Sequence, residues 1–463
     1  MTSALPFVPT DVGNAERLVR LFGADFRWVH KWDSFMVFDG TRWARDESRA
    51  VERFAKATLR QMIAEAAKLP EDQSDLRNKM IGHAMRSESN GRIVGMVARA
   101  KAEEGVAVAT DVFDQHAFLL NVANGCLDLR TGRLGPHDRR HFLTKCSTVR
   151  FDPEALCPTW ERFLLEVFAG RVDIIDYVQR AVGYSLTGDT SEQCLHLMHG
   201  SGSNGKSTFL EVLQALFGDY GIQADFSTFL DGKTSDGPRN DVARLAGARM
   251  VRSSEVGEGK RFNESLVKAL TGSETIAARF LFSESFEFSP TFKLWFAANH
   301  KPVIRGTDHA IWRRVRLLPF DVQFTEEQKD RQLKQKLLAE LPGILAWAVA
   351  GCLLWQERGL GAPADVQAAT EEYRRESDVI GSFLEDSCET GLGLEVSATD
   401  LYQAFKRWAK DNGEYELSQT AFGRRLEERG FGTRKSGTKY RLGLRLNAAV
   451  QATSQEKPAW FDR

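Results

Sequence analysis

The stretch from Gly200 to Thr208 contains the residues of this sequence best suited to bind phosphate. It fits the pattern G-x-x-x-x-G-K-[ST]. In this pattern the glycines let backbone N–H groups turn towards the phosphates of a nucleoside triphosphate, the lysine reaches the β- and γ-phosphates, and the hydroxyl binds Mg²⁺. The residues predicted to bind nucleotide are Gly200, Ser201, Gly202, Ser203, Asn204, Gly205, Lys206, Ser207 and Thr208.

The flanking residues predict the strand and the helix that such a site requires. Residues 193–199 are short and largely apolar, as in a buried strand, and residues 208–217 have the apolar spacing of a helix that Gly218 can end. The phosphates would then lie at the helix N-terminus, where free N–H groups and the helix dipole favour anions. The alternative, a flexible Gly/Ser linker, would need neither element.

Three further segments supply side chains that could complete a nucleotide site. A strand ending at Glu255 offers a carboxylate to bind Mg²⁺ or polarise water, with Glu258 as the alternative. The next apolar strand ends at Asn299, whose amide could orient the attacking water. Adjacent Arg313 and Arg314 precede another apolar segment, and one of them could reach the γ-phosphate of a neighbouring subunit. An arginine pair on a solvated face is the alternative.

Together, four segments of the chain resemble superfamily 3 helicases, which are ring ATPases of the AAA+ type. More narrowly, they resemble the phage/plasmid and poxvirus-type primase-helicase family. These segments are residues 199–208, 263–272, 288–302 and 306–316. The likeness extends upstream to the 124–132 region and downstream over 364–446. It implies an α/β fold with an AAA+-like P-loop ATPase core, and ATP with Mg²⁺ as the bound nucleotide.

The resemblance implies roles for individual residues of the nucleotide site. Lys206 and Ser207 bind phosphate and Mg²⁺, Glu255 is the Walker B acid that also contacts the metal, and Asn299 is the polar sensor. The position before the Walker B acid is often a second acid in this superfamily, and here it is Ser254.

The resemblance also implies residues that act outside one subunit's own site. Arg313, with Arg314 next, is the arginine finger, and Lys268 is a second cation offered across the subunit interface. A DNA-tracking hairpin is implied around residues 279–284. Its tip carries Ser283 and Glu284 in place of the family's usual Lys or His, so Arg279 becomes the candidate DNA contact.

Residues 398–446 have the pattern of a C-terminal winged helix, which is helix, helix and hairpin. From Ser418 to Leu446 there are eight basic and two acidic residues, a local charge of +6 in a chain of net charge −1. A basic face on such a shape is typical of DNA binding, with protein docking as the alternative. The predicted DNA-binding residues are Arg424, Arg425, Arg429, Arg434, Lys435 and Lys439.

Shifts in pattern predict six segments. A mostly helical N-terminal region with a small β meander (together an α+β domain) spans 1–110, and a β-rich, then helical, domain spans 111–190. The ATPase core spans 191–325, a helical lid and connector 326–379, the winged helix 380–446, and a flexible tail 447–463. The aromatic residues of the meander could stack on bases, but a small hydrophobic core is the favoured interpretation.

The composition is that of a globular protein of two to four domains, with 463 residues, 42% hydrophobic and 27% charged. No apolar run approaches the ~20 residues of a membrane span. The first residues lack the pattern of a signal peptide, and the six cysteines include no C-x-x-C pair. A cytoplasmic location without membrane attachment, disulfides or structural zinc is expected.

The sequence thus predicts a replicative DNA helicase of a virus or mobile element, an ATP hydrolase that forms a homo-oligomeric ring, most simply a hexamer. An origin-binding initiator without processive unwinding and an AAA+-type protein remodeller are the alternatives. Only about 110 residues precede the β-rich segment, and they contain no evident pair of metal-binding acids. No primase activity is therefore expected, and a separate primase or polymerase is an expected partner.

Overall fold

The computed structural model describes residues 7–232, 239–254, 257, 259–280, 284–306 and 309–447. Four of the predictions above concern residues outside these ranges. They are Glu255, Glu258, the hairpin-tip residue Ser283 and residues 448–463 of the tail.

The N-terminal segment packs helices against a small sheet of strand order β3-β2-β1-β4. Leu18, Leu59 and Met96, from three different helices, are fully buried in one core with the strand residue Phe26. Trp43 is 1% exposed and stacks on Phe142, so the meander aromatics form a small hydrophobic core. The elements are α1 (Asp11–Phe22), β1 (Phe26–Val29), β2 (Ser34–Phe38), β3 (Trp43–Arg45), α2 (Ala50–Ala66), α3 (Ser74–Ser87), α4 (Asn90–Ala100) and β4 (Ala107–Val108).

A second segment joins this unit to the core through a three-stranded antiparallel sheet and two helices. The sheet order is β5-β6-β7. The apolar face of the second helix lies in the same hydrophobic core as the central sheet described next. The elements are β5 (Leu119–Val122), β6 (Gly125–Asp128), β7 (Arg133–Gly135), α5 (Pro158–Val167) and α6 (Val172–Leu186).

The core is a five-stranded parallel sheet of order β14-β8-β13-β10-β9. All residues of β13 are buried, and they alternate between two hydrophobic clusters, so that both faces of the sheet are covered. The elements are β8 (Leu195–His199), α7 (Lys206–Phe217), β9 (Gly221–Gln223), α8 (Asn240–Ala243), β10 (Met250–Ser254), α9 (Glu264–Leu270), β11 (Ile276–Arg279), β12 (Ser285–Phe288), β13 (Lys293–Ala298), α10 (His309–Trp312) and β14 (Val315–Pro319).

Three helices follow the core and close over it: α11 (Leu333–Ala339), α12 (Leu341–Arg358) and α13 (Ala364–Glu376). Helix α12 lies so close to α6 that a Cβ added at Gly183 would stand 2.1 Å from the backbone N of Cys352. In the part of the chain that the structure describes, no single helix is long and apolar enough to cross a membrane. The bent pair α11 and α12 reaches that composition only together, with an angle of 68° between them.

The C-terminal unit, residues 379–446, is a compact bundle of three helices and a three-stranded sheet. Its strand order is β15-β17-β16, and Phe383, Phe405 and Phe422 lie at its core. Ser397 and Ser418 cap the N-termini of the second and third helices with their side chains. The elements are α14 (Val379–Ser387), β15 (Cys388–Ser397), α15 (Ala398–Asp411), α16 (Gln419–Glu428), β16 (Thr433–Ser436) and β17 (Thr438–Leu446).

Candidate functional site

The carboxyl ends of the central strands bring the predicted site residues to one edge of the sheet. In the parallel register, His199 of β8 lies beside Ala298 of β13 and Pro319 of β14. The loop that follows β8 and the residue that follows β13, Asn299, are therefore neighbours. The predicted order of strand, loop and helix is confirmed, with β8 before the loop, α7 after it and Gly218 at the end of α7.

Lys206 lies at the centre of this edge, and its side chain is held by oxygens. Its Nζ donates to the carbonyl oxygen of Gly200 at 2.7 Å, to Asn204 Oδ1 at 3.0 Å and to Asn299 Oδ1 at 3.1 Å. The residue is 5% exposed, and burial lowers the pKa of its ammonium group to about 8. Since the three acceptors are uncharged, they do not neutralise the ammonium group, and its positive charge can attract an incoming anion.

The loop backbone takes a shape that requires glycine at two positions. Gly205 has a φ of +88°, and a Cβ there would lie 2.7 Å from Val167 Cγ1. A Cβ at Gly200 would lie 2.2 Å from the carbonyl oxygen of Phe320. Asn204 Nδ2 donates to that same carbonyl at 3.1 Å, which ties the loop to the end of β14.

Helix α7 begins at Lys206, directly behind the loop, and Gly205 provides no side chain to cap it. The first amides of a helix have no partners within the helix and attract anions. These amides, together with the Lys206 ammonium, fit a polyphosphate chain. Within the described ranges, no group of three His, Cys, Asp or Glu residues could hold a metal ion. Among these residues, a Mg²⁺ that arrives with the phosphates would find the exposed Ser207 hydroxyl as a ligand.

A cavity of about 710 Å³ opens beside the loop. Its walls come from α5, from the loop and start of α7, and from residues 324–334. The lining includes the aromatic rings of Phe163 and Phe324. Phe324 N donates to the carbonyl oxygen of Ser203 at 2.9 Å, so the far wall is joined to the loop. Phe163 and Phe324 were not predicted as site residues, because the sequence marks each of them only as an apolar residue outside the motif.

The two candidate finger arginines lie at the opposite edge of the sheet from Lys206. They precede β14, whose Val315 pairs with the first residue of β8, so roughly 15 Å of strand separates them from the loop. Arg313 is exposed, and its Nη2 donates to Gln193 Oε1 at 2.8 Å. Arg314 is buried, and it donates to Thr271 Oγ1 at 3.1 Å and to the carbonyl oxygen of Ala310 at 2.6 Å.

The other predicted cations of the core lie on α9 and on the hairpin. Lys268 is half-buried on α9, a helix that contacts α10. Arg279 is exposed at the end of β11 and pairs in register with Ser285 of β12. Glu284, also exposed, adds an acidic side chain to this end of the hairpin.

Most of the predicted DNA-binding side chains of the C-terminal unit make ion pairs within the chain. Two of the acidic partners, Glu395 and Glu389, lie on β15, outside the segment over which the charge of +6 was counted. The contacts are Arg424–Glu428 at 3.8 Å, Arg429–Asp378, Arg434–Glu395 at 2.7 Å and Lys439–Glu427 at 4.0 Å. Arg445, which was counted in the charge of +6 but was not a predicted DNA contact, pairs with Glu389. Lys435 is exposed. The basic face is therefore weaker than the sequence count suggests.

Arg425 makes contacts of another kind. Its guanidinium donates to the carbonyl oxygen of Arg305 in the core at 2.7 Å and to the Tyr415 hydroxyl at 3.2 Å. The predicted DNA-binding residues thus divide into two groups. The side chains of Arg424, Arg434 and Lys439 are at least half exposed, and Lys435 is exposed with them. Arg425 and Arg429 are engaged at the junction with the rest of the chain.

Three family models match the chain. A model described as D5 N terminal like matches residues 15–169, a family of unknown function matches residues 198–314, and a model described as poxvirus D5 protein-like matches residues 375–439. The second match covers the loop, Lys206, Asn299 and Arg313.

Similar proteins occur in large DNA viruses. "Putative helicase L207/L206" of Acanthamoeba polyphaga mimivirus is 25% identical over 443 residues, which are 85% of this chain and 45% of that protein. "Putative helicase 022R" of Frog virus 3 is 27% identical over 256 residues, 51% of this chain and 26% of that protein. "Putative primase C962R" of African swine fever virus is 22% identical over 330 residues, 65% of this chain and 34% of that protein. The chain thus spans less than half the length of these relatives.

Among solved structures, the apo structure of the NrS-1 C-terminal region has a similar fold. Its TM-score is 0.51 at 11% sequence identity, over 93% of this chain and 99% of that one. At this identity the likeness concerns the mixed α/β fold.

Proposed function

Because the chain belongs to the D5-like primase-helicase family, we propose that it is an ATP-dependent replicative DNA helicase of superfamily 3. In this proposal residues 200–208 are the P-loop of an AAA+-type core, the C-terminal unit is a winged helix, and the protein works in the host cytosol beside a separate primase or polymerase. When the strands of the core sheet are numbered 1 to 5 along the chain, their order in the sheet is 5-1-4-3-2. This order supports the assignment of an AAA+-type core.

The observation that carries the proposal is the contact between Lys206 and Asn299 across two neighbouring strand ends. Lys206 would bind the β- and γ-phosphates of ATP, and the phosphates would replace the oxygens that hold its ammonium in the free protein. The Asn299 amide, released from Lys206, could then orient the attacking water. Ser207 would contact Mg²⁺, which stabilises charge on the phosphates when it is bound. Glu255 remains the proposed Walker B acid.

The proposal includes a ring because one subunit does not bring all of these groups together. Arg313 is exposed and far from its own Lys206, as a residue that acts on a neighbour's γ-phosphate must be. The burial of Arg314 favours Arg313 as the finger. Lys268 stays the proposed second cation across the interface. Identical head-to-tail interfaces that close into a ring give every site an arginine from its neighbour, and we propose a ring of six subunits.

DNA would be held at two places. The hairpin of β11 and β12 would follow the strand in the ring channel with Arg279, and the exposed cations of the C-terminal unit would help to load or orient DNA. Since surface ion pairs contribute only about 0–1 kcal/mol each, DNA phosphates can compete for Arg424, Arg434 and Lys439.

The deciding experiment measures ATP hydrolysis with and without single-stranded DNA, beside strand displacement on a forked substrate. We expect hydrolysis that DNA stimulates, strand displacement that requires ATP, and loss of both in Lys206→Ala. Particle images with ATP and DNA would show a closed ring threaded by DNA. Hydrolysis indifferent to DNA would instead support a protein remodeller.

Two observations favour the alternative of an origin-binding initiator. The exposed Glu284 beside the hairpin tip and the ion-paired basic residues of the C-terminal unit both weaken the expected grip on DNA. ATP hydrolysis and duplex binding without strand displacement would support the initiator.

A further inference from the structure

The C-terminal unit contacts the core at the segment that begins with Asn299, residues 299–306. Connector helix α13 holds the first part of this segment. There the Tyr373 hydroxyl donates to the carbonyl oxygen of Pro302, and Lys301 forms an ion pair with Glu376 at 2.6 Å. The last part of the segment is held by α9 and by the C-terminal unit.

Arg305 and Arg425 form a reciprocal contact around Tyr415, which we call the clasp. Arg425 Nη2 donates to the carbonyl oxygen of Arg305 at 2.7 Å, and Nη1 donates to the Tyr415 hydroxyl at 3.2 Å. In return, the Arg305 guanidinium lies 4.1 Å from the centre of the Tyr415 ring. A charged donor and a cation–π contact, both partly shielded from water, give the clasp more strength than a surface ion pair.

Helix α9 holds Arg305 and the next residue, Gly306, from the other side. Glu264 Oε1 accepts the backbone N–H of Arg305 at 2.9 Å and that of Gly306 at 2.8 Å. A Cβ at Gly306 would lie 2.2 Å from Glu264 Oε2, so the carboxylate fits only against glycine. The carbonyl oxygen of Gly306 in turn accepts from Trp312 Nε1 at 2.8 Å, next to Arg313. The end of the segment is thus fixed both to α9 and to the residue before the proposed finger.

We propose that Arg425, through the clasp, is a positioning residue of the nucleotide site and not a DNA contact. It would fix the carbonyl of Arg305, and with it the segment that starts at Asn299 and ends beside Trp312. The inference rests on the proposed function, because Asn299 matters only if nucleotide binds at Lys206. The neighbouring Arg424 remains a proposed DNA contact, since 73% of its side chain is exposed and it pairs only with Glu428 on its own helix among the ion pairs described.

The test compares Arg425→Ala with Lys406→Ala in the full chain. Lys406 is matched in charge and unit, and its ion pair with Glu416 at 2.8 Å stays inside the C-terminal unit. We expect kcat for ATP hydrolysis to fall about tenfold in Arg425→Ala, with the KM for ATP within about twofold of wild type, because misplacing a positioned group by about 1 Å costs up to 10²-fold in rate. Lys406→Ala should keep both values. Arg425→Lys, which keeps the charge but loses the fork, should recover only part of kcat.

Hydrogen exchange of residues 299–306 provides a second measurement that does not depend on catalysis. Faster exchange in Arg425→Ala, with unchanged exchange in the core strands, is the expected result. Tyr415→Phe, which removes one acceptor and keeps the ring, should show the same change to a smaller degree, and it serves if Arg425→Ala folds poorly.

Two results would overturn the clasp. One is a wild-type kcat together with wild-type exchange in residues 299–306 of Arg425→Ala. The other is a loss of DNA affinity in Arg425→Ala as large as that in Arg424→Ala, without any change in kcat, which would make Arg425 a DNA contact. If the wild-type protein hydrolysed no ATP, the proposed function would fail, and the exchange measurement would still decide whether the clasp holds the segment.

Discussion

The affinity of the protein for ATP should fall as the pH rises above about 8. Burial lowers the pKa of the Lys206 ammonium to about 8 in the free protein, and phosphates bind the charged form. Bound nucleotide therefore raises this pKa again. With a pKa of 8, roughly nine in ten free molecules carry the charged lysine at pH 7 and roughly one in ten at pH 9. The affinity should fall about tenfold between these pH values, or about 1.4 kcal/mol.

Equilibrium titration with a fluorescent, non-hydrolysable ATP analogue at pH 7, 8 and 9 measures this slope. Any titration of the analogue's own phosphates would appear equally with the wild type and with Lys206→Met, so the comparison of the two proteins isolates the lysine. Lys206→Met removes the titrating group, so it should bind weakly and without the slope. An affinity that stays flat from pH 7 to 9 in the wild type, or an equal slope in Lys206→Met, would refute the reasoning.

The same pKa predicts how stability depends on pH. The folded-state pKa lies below the ordinary value near 10.4, so between about pH 8 and 10.4 the unfolded chain binds more protons at this residue than the folded one does. The Lys206 contribution to the free energy of unfolding therefore rises with pH across this window. Denaturant unfolding of the wild type and of Lys206→Met at pH 8 and 9 would reveal the difference, which should disappear if the lysine is not perturbed.

Four other substitutions have expected outcomes. Arg313→Ala should lower ATP turnover about 10³-fold at an unchanged melting temperature. Arg314→Ala, which removes buried hydrogen bonds, should instead lower the melting temperature by several degrees. Calorimetry and a coupled ATPase assay separate the two effects, and equal effects of the two substitutions would contradict the assignment of Arg313 as the finger. Arg424→Ala should weaken binding to single-stranded DNA and reduce the slope of log affinity against log salt by about 0.7, and fluorescence anisotropy at several salt concentrations would expose an unchanged slope. Gly183→Ala should destabilise the fold by about 3 kcal/mol or more, since its Cβ would meet the backbone of α12; a wild-type denaturation midpoint would show that the helices can separate without cost.

Local patterns carried the correct part of the sequence argument. The loop, the strand before it and the helix after it are contiguous in sequence, and each shows its own periodicity or stop signal, so their order follows from the residues at 193–218. The strand begins two residues later than predicted and the helix two residues earlier. Asn299 was found in the same way, as the polar residue that closes a run of six buried ones. The resemblance to the phage/plasmid and poxvirus-type primase-helicase family also followed from motifs of this kind, and it agrees with the matches to the D5 N terminal like and poxvirus D5 protein-like models.

Partners distant in sequence could not be predicted. No strand was predicted for residues 388–397, which contain two glycines, yet they form the edge strand β15 because β17 pairs with them across more than forty residues. Glu389 and Glu395 on that strand neutralise arginines that the charge count had left unpaired. Arg425 faces a carbonyl 120 residues away, and no local pattern marks such a contact. The role of Glu255 stays a prediction.

The cavity beside the loop determines which expression fragments of this protein can keep an intact nucleotide site. Its wall at α5 is joined to the junction between α11 and α12, because Glu340 accepts the backbone N–H groups of Thr159 and Trp160 at 3.0 Å. The ring of Trp160 also stacks on Phe209 of α7 at 5.5 Å. An expression fragment of residues 191–325 would keep the loop and Asn299 but would lose α5 and most of residues 324–334, so a fragment that keeps the whole cavity must also contain α5, α11 and Glu340.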